Sequence, residues 1–174
     1  MTASLMERLL GTHAAMGSVQ WLAVRPARGE LEVRQCVEVA LGAGLIGDRY
    51  RGSSGDRAVT LIQFEHLPVI AALLGIPSVD PGILRRNVVV RGISVAGLER
   101  ARFRVGNVLL EGTGPCHPCS KLDADLGVGG YAAMMGHGGI NARVIEAGSI
   151  RVGDPVEFLA LRPLARRFAV KGST

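Results

Sequence analysis

The chain has 174 residues, 48% apolar and 20% charged, with a net charge of +5. That length gives one domain able to bury roughly 70% of its unfolded surface, so its core needs neither a disulfide framework nor a structural metal. Aromatic residues make up only 4%, basic residues never run beyond pairs, and no long apolar run occurs, which argues against a nucleic-acid binder and against a membrane-spanning helix.

Residues 1–16 form an N-terminal extension, expected as a short amphipathic helix with Leu5, Leu9 and Leu10 on one side, or frayed. Glu7, Arg8 and His13 interrupt it, so it lacks the apolar region of a signal peptide. The domain proper is expected over 17–162, followed by a basic tail over 163–174. Alternation predicts a strand from Gly17 to Val24 and a second from Leu31 to Val39, with Leu31, Val33, Gln35, Val37 and Val39 on one face. Cys36 reads as a small core residue. Three cysteines is an odd count, so no closed disulfide set is implied and a reducing cytoplasm is the expected compartment.

Gly42 to Gly55 is a glycine-rich loop containing Asp48, Arg49 and Arg51. No lysine follows as in a phosphate-binding loop, and no strand-turn-helix spacing fits a dinucleotide fingerprint. It is either an anion site or a solvated loop with an internal ion pair. Arg57 to Gln63 reads as a strand. Glu65 to Leu74 reads as a helix with Pro68 in its first turn and Gly75 ending it. Val88 to Arg91 is a short apolar strand, Gly92 to Arg100 a loop, and Ala101 to Glu111 a hairpin turning at Gly106-Asn107. Tyr131 to Met135 is a short helix, Ile140 to Ala147 a strand, Gly148 to Asp154 a turn, and Val156 to Leu161 the last strand. Short glycine-bounded strands without regular β-α alternation predict a mainly β protein, a closed or nearly closed barrel with few short helices.

Between the hairpin and the second helix lies Gly114-Pro115-Cys116-His117-Pro118-Cys119-Ser120-Lys121-Leu122-Asp123, predicted as a shaped loop. It offers two thiols, an imidazole and one of two lysines. A redox Cys-x-x-Cys would ordinarily sit in a β-α-β unit, and none surrounds it. A structural zinc site needs four ligands, and no second Cys-x-x-Cys exists. A nucleophile or soft-metal ligand remains, and Lys121 would favour a thiolate. Arg49, Arg57, Arg86 and Arg143 could converge on an anionic cofactor in bidentate geometry.

Several of these pieces occur together in order. They are Gly44-Leu45-Ile46-Gly47-Asp48-Arg49, Arg57-Ala58-Val59-Thr60-Leu61-Ile62 with Glu65, and Arg85-Arg86-Asn87-Val88-Val89-Val90. Cys116-His117-Pro118-Cys119 follows, then Gly136-His137-Gly138-Gly139 with Ala142-Arg143, and Gly148-Ser149-Ile150 with Gly153-Asp154. In this order the sequence resembles the MOSC domain, the C-terminal domain of molybdenum cofactor sulfurases, which also occurs alone in small bacterial proteins. The resemblance runs from about Val19 to Phe158.

It implies a β-barrel and a molybdenum–pterin cofactor held by a cysteine, best matched by Cys119, with Cys116 its neighbour. It implies that Arg86 and Asn87 line the site and that Arg57 and Arg143 hold the pterin phosphate. Arg49 and His137 complete the expected cofactor-binding set, although the family often has arginine where His137 stands. Neither the extra N-terminal β domain of larger relatives nor the pyridoxal-phosphate domain of the sulfurases is expected in this chain, and so no pyridoxal phosphate is expected in it. The implied activity is reduction of small N-hydroxylated substrates. With no flavin, haem or iron–sulfur motif, electrons would come from a separate donor protein. The alternative is a non-catalytic carrier of the cofactor, or of sulfur on Cys119.

Overall fold

The computed structural model describes residues 4–162. The tail expected over 163–174 lies outside the described residues. Helix α1 (Leu5–Leu10) opens them, closed by a Ser4–Glu7 capping box, and buries none of its side chains. The strands are β1 (Gly17–Val24), β2 (Glu32–Val33), β3 (Cys36–Ala40), β4 (Gly44–Leu45), β5 (Val59–Gln63), β6 (Val88–Arg91), β7 (Ala101–Val105), β8 (Val108–Pro115), β9 (Ile140–Glu146), β10 (Gly148–Arg151) and β11 (Pro155–Leu161). Helix α2 (His66–Leu74) joins β5 to β6, and α3 (Ser120–Leu126) and α4 (Gly130–Met134) join β8 to β9.

Seven strands close into a barrel in the order β11-β7-β8-β9-β5-β6-β1, sealed where Gly17 of β1 pairs with Val156 of β11. Six of its pairings are antiparallel. Only β5 and β6 run parallel, and α2 supplies the crossover that a parallel pair requires. A smaller sheet, β10-β3-β4, lies beside the barrel, and β2 extends β1.

Alternation drives the barrel's one-sided strands. In β7, Ala101, Phe103 and Val105 are buried while Arg102 is exposed, and the inward residues meet Leu22, Leu61, Val90 and Leu110 in one core. β5 and β6 are apolar on both faces. Ile62 and Val89 face outward onto a second cluster with Ile70 of α2, Leu122 of α3 and Met134 of α4. Burying each of these large side chains contributes about 1.5–3 kcal/mol, which fixes the three helices against this side of the barrel. The helices expected at 65–74 and 131–135 are therefore present as α2 and α4.

Four local expectations are corrected. The strand predicted over Leu31–Val39 splits into β2 and β3, which belong to different sheets. Leu31 and Val33 are 40% and 56% exposed, whereas Val37 and Val39 are buried under β10 and β4 pairing. Cys36 is exposed rather than in the core. The turn predicted over Gly148–Asp154 begins as β10, because Gly148 to Arg151 pair in register with Val39 to Cys36. The loop predicted over Gly114–Asp123 is shorter. β8 continues through Gly114 and Pro115, opposite Asn141 and Ile140, and α3 begins at Ser120 with Leu122 buried as its anchor.

Candidate functional site

The segment Leu84-Arg85-Arg86-Asn87 enters β6 beside the cysteine loop. Arg86 is only 5% exposed. Its Nε donates to the Gly138 carbonyl at 2.7 Å, one terminal nitrogen to the Leu84 carbonyl at 2.9 Å, and the other to the Cys116 carbonyl at 2.8 Å. One guanidinium thus holds three chain segments together, using the fork of donors that only arginine has. Burial pulls its pKa down, opposed by the nearby Cys116 and Cys119 sulfurs.

Asn87 is also built into the wall. Its Oδ1 accepts from the Thr60 hydroxyl at 2.8 Å and its Nδ2 donates to the Ala23 carbonyl at 3.2 Å. Cys116 is buried, and burial pushes its thiol pKa up, opposed by the nearby Arg86 and Arg57 charges. Burial thus favours the neutral thiol at Cys116. Cys119 differs. It is the exposed N-cap of α3, held in extended conformation, and its side chain makes no cap hydrogen bond.

Beside this clamp opens a cleft of about 560 Å³ whose walls include Arg25, Asp48, Arg49, Arg57, Arg85 and Asn87. Asp48 accepts from the Arg25 amide at 2.7 Å, and Asp56, also in the wall, is held by Arg143. Arg49, Arg57 and Arg85 have no carboxylate partner among the described residues. The Arg25 guanidinium reaches the Arg86 and Gly82 carbonyls at 3.3 and 3.1 Å. Its pKa is lowered by burial, partly offset by Asp48 and reinforced by Arg85, Arg86 and Arg49. Arg85 holds a left-handed backbone, φ 60°, the one non-glycine residue among those described to do so. Uncompensated guanidinium groups lining one cleft make an anion site, since each can grip a phosphate or carboxylate bidentately.

The expected residues thus take different places. Arg49, Arg57 and Asn87 line the cleft. Arg86 is not in its lining, and each of its three guanidinium nitrogens already donates to a backbone carbonyl. Arg143 belongs to an ion cluster around buried Glu111, which also receives Arg102 at 3.0 Å, and it reaches the cleft through Asp56. His137 lies elsewhere, edge-on to His66 with ring centroids 4.7 Å apart. Its partner ring faces a separate cavity of about 210 Å³ lined by Gln63, Cys116, His117 and Met134. Arg25 and Arg85 were not among the expected residues. Arg85 stands in the quoted Arg-Arg-Asn triplet, and Arg25 ends an apolar strand just before a proline. Neither position carries a signal beyond that.

No group of three or more His, Cys, Asp or Glu side chains among the described residues is placed to hold a metal by itself. The exposed thiol of the loop, Cys119, and the cleft arginines that lack a carboxylate partner among the described residues are groups that suit a metal arriving with its own anionic organic ligand.

The family model for the MOSC domain matches residues 38–157. The fold is similar to that of the YuaD protein of Bacillus subtilis, with a TM-score of 0.70 at 18% identity, covering 84% of this chain and 97% of that one. It is also similar to YiiM of Geobacillus stearothermophilus, with a TM-score of 0.64 at 19% identity over 82% of this chain and 75% of that one. YiiM of Escherichia coli gives a TM-score of 0.63 at 22% identity, covering 82% and 70%. No curated protein matches the sequence.

Proposed function

The chain belongs to the MOSC domain family, and on that premise we propose that it binds a molybdenum–pterin cofactor and reduces small N-hydroxylated compounds. The observation that carries this reading is the set of cleft arginines without carboxylate partners, Arg49, Arg57 and Arg85, beside the loop that presents an exposed thiol.

In this reading Arg49, Arg57 and Arg85 hold the pterin phosphate, aided by Arg25. Arg86 fixes the backbone of the cysteine loop, and Cys119 supplies the protein thiolate to the metal. Cys116 stays protonated in its buried place and serves packing. Bound there, the cofactor would supply a two-electron redox centre. The net reaction takes R–NHOH, two electrons and two protons to R–NH2 and water, with the electrons coming from a separate donor protein.

The exposure of Cys119 also favours a second reading, in which the chain carries the cofactor, or sulfur on that thiol, to an acceptor. Incubating cofactor-loaded protein with a model amidoxime and a chemical reductant separates the two. Amidine formation with multiple turnovers supports the reductase. Transfer of cofactor to an apo-acceptor enzyme without turnover supports the carrier.

A further inference from the structure

The imidazoles of His66 and His137 meet edge-on, with ring centroids 4.7 Å apart and planes at 78°. Nδ1 of each ring is buried and has no hydrogen-bond partner among the described residues. His66 is the first residue of α2, where the helix dipole disfavours positive charge. Burial, and then the neighbouring His137, favour its neutral form against the pull of Glu65. The other titratable groups around it are Glu99, His117 and Cys116, which share with His66 the wall of the cavity of about 210 Å³.

His137 stands in the segment on which the cysteine loop rests. Its amide donates to the Met134 carbonyl at 2.9 Å. The next two carbonyls hold the site: Gly138 accepts from Arg86 at 2.7 Å, and Gly139 accepts from the Cys116 amide at 2.8 Å. Gly138 lies so close to Cys116 that a Cβ there would collide with its carbonyl oxygen. The two ends of the segment differ in freedom. Gly139 is pressed against the Leu61 carbonyl, whereas a Cβ on Gly136 would meet nothing within 4 Å. The segment can therefore turn about Gly136 while Gly139 stays fixed.

We propose that the His66–His137 pair is an acid-operated latch on the cysteine loop. Neutral rings pack together and keep Gly138 over Cys116. A proton taken up at Nδ1 of His66 has no acceptor where it stands, and its charge faces the His137 ring. The rings part, His66 turns into the adjoining cavity towards Glu99, and Gly138 leaves Arg86 and uncovers Cys116. The open form gains population as pH falls below the ordinary histidine value of about 6.5. The latch resides in the chain alone and does not rest on the cofactor reading.

The test scores Cys116 as the one thiol left in a Cys36→Ser, Cys119→Ser chain, using 4,4′-dithiodipyridine. The thiol forms a mixed disulfide with half of the reagent and releases one thiopyridone. Each rate is divided by that of the same chain unfolded in urea at the same pH, which corrects for the effect of pH on the reagent. This ratio is expected to rise at least about tenfold from about pH 7.5 to about pH 5, with the circular dichroism of the folded chain retained. His66→Asn should abolish the rise, and His137→Gln should reduce it. The proposal is overturned by a ratio that does not change with pH, by a rise in both variants equal to that of the parent chain, or by a rise that accompanies loss of the folded spectrum. Those outcomes leave the cofactor reading standing.

Discussion

The Arg86 guanidinium donates to the carbonyl oxygen of Cys116 at 2.8 Å, across 30 residues of sequence. The same side chain holds the Leu84 and Gly138 carbonyls, so the cysteine loop, the β6 entry and the loop after α4 share one buried cation. Arg86→Ala would leave three carbonyls without this donor. Each unsatisfied buried group costs about 1–3 kcal/mol, so a loss of about 3 kcal/mol or more is expected. Arg86→Lys should recover only part of it, because an ammonium lacks the fork. Urea unfolding reads this directly, and an unchanged midpoint in Arg86→Ala would show that the clamp is idle.

Gly136 and Gly139 both have φ 78°, yet they should respond differently to alanine. A Cβ on Gly136 meets nothing within 4 Å, so Gly136→Ala should cost only the left-handed penalty, about 1–2 kcal/mol. A Cβ on Gly139 would lie 1.9 Å from the Leu61 carbonyl, in the backbone of β5. Gly139→Ala should therefore prevent folding or cost several kcal/mol more. Thermal melts of the pair decide it, and equal losses would contradict the close approach of these strands.

His66 predicts a pH response. Burial, and then the neighbouring His137, hold its pKa below the usual value. A group lowered in the folded state contributes stability that is present above its unfolded pKa, near 6.5, and lost as pH falls through the lower folded value. Thermal stability should therefore decline below about pH 6.5. His66→Asn should flatten that decline. Glu65 adds a separate loss in the carboxylate range, since its pKa is lowered, the hydrogen bonds from Gln63 and Gly92 outweighing a burial contribution that raises it. A pH profile identical in both proteins would contradict the role given to His66.

The cleft arginines should differ in their grip on an anion. Arg49→Ala and Arg57→Ala each remove a guanidinium that no carboxylate neutralises, and each should lower pterin retention about tenfold. Arg143→Ala should lower it less, because Arg143 already meets Asp56. Fluorescence of the released, oxidised pterin measures this, and equal losses in all three variants would contradict the ranking.

The sequence made the barrel legible where one face of a strand is buried, as in Ala101–Val105, and where both faces are, as in Val59–Gln63. It misled where alternation continued across a break. Leu31 and Val33 share a parity with Val37 and Val39, but Leu31 precedes β2, Val33 pairs with the end of β1, and Val37 and Val39 lie inside the small sheet. β10 was hidden because Gly148-Ser149 reads as turn chemistry, and only its partner β3 makes it a strand. Arg86 and Asn87 stood out as a pair, yet their partners are the Leu84, Cys116, Gly138 and Ala23 carbonyls and the Thr60 hydroxyl. A backbone carbonyl looks the same at every position in a sequence. Arg25 and Arg85 reach the cleft by chain geometry alone, one of them through a left-handed backbone that nothing in its residue type announces.

Cys119, not Cys116, is the thiol proposed to ligate the metal. The most direct test is the molybdenum and pterin content of protein produced with the cofactor supplied, for the unmodified chain, Cys119→Ser and Cys116→Ser. Cys119→Ser is expected to lose molybdenum while keeping part of its pterin on the cleft arginines, and Cys116→Ser to keep most of both. Full molybdenum content in Cys119→Ser would contradict it, and equal loss in both variants would show instead that the two thiols act as a pair.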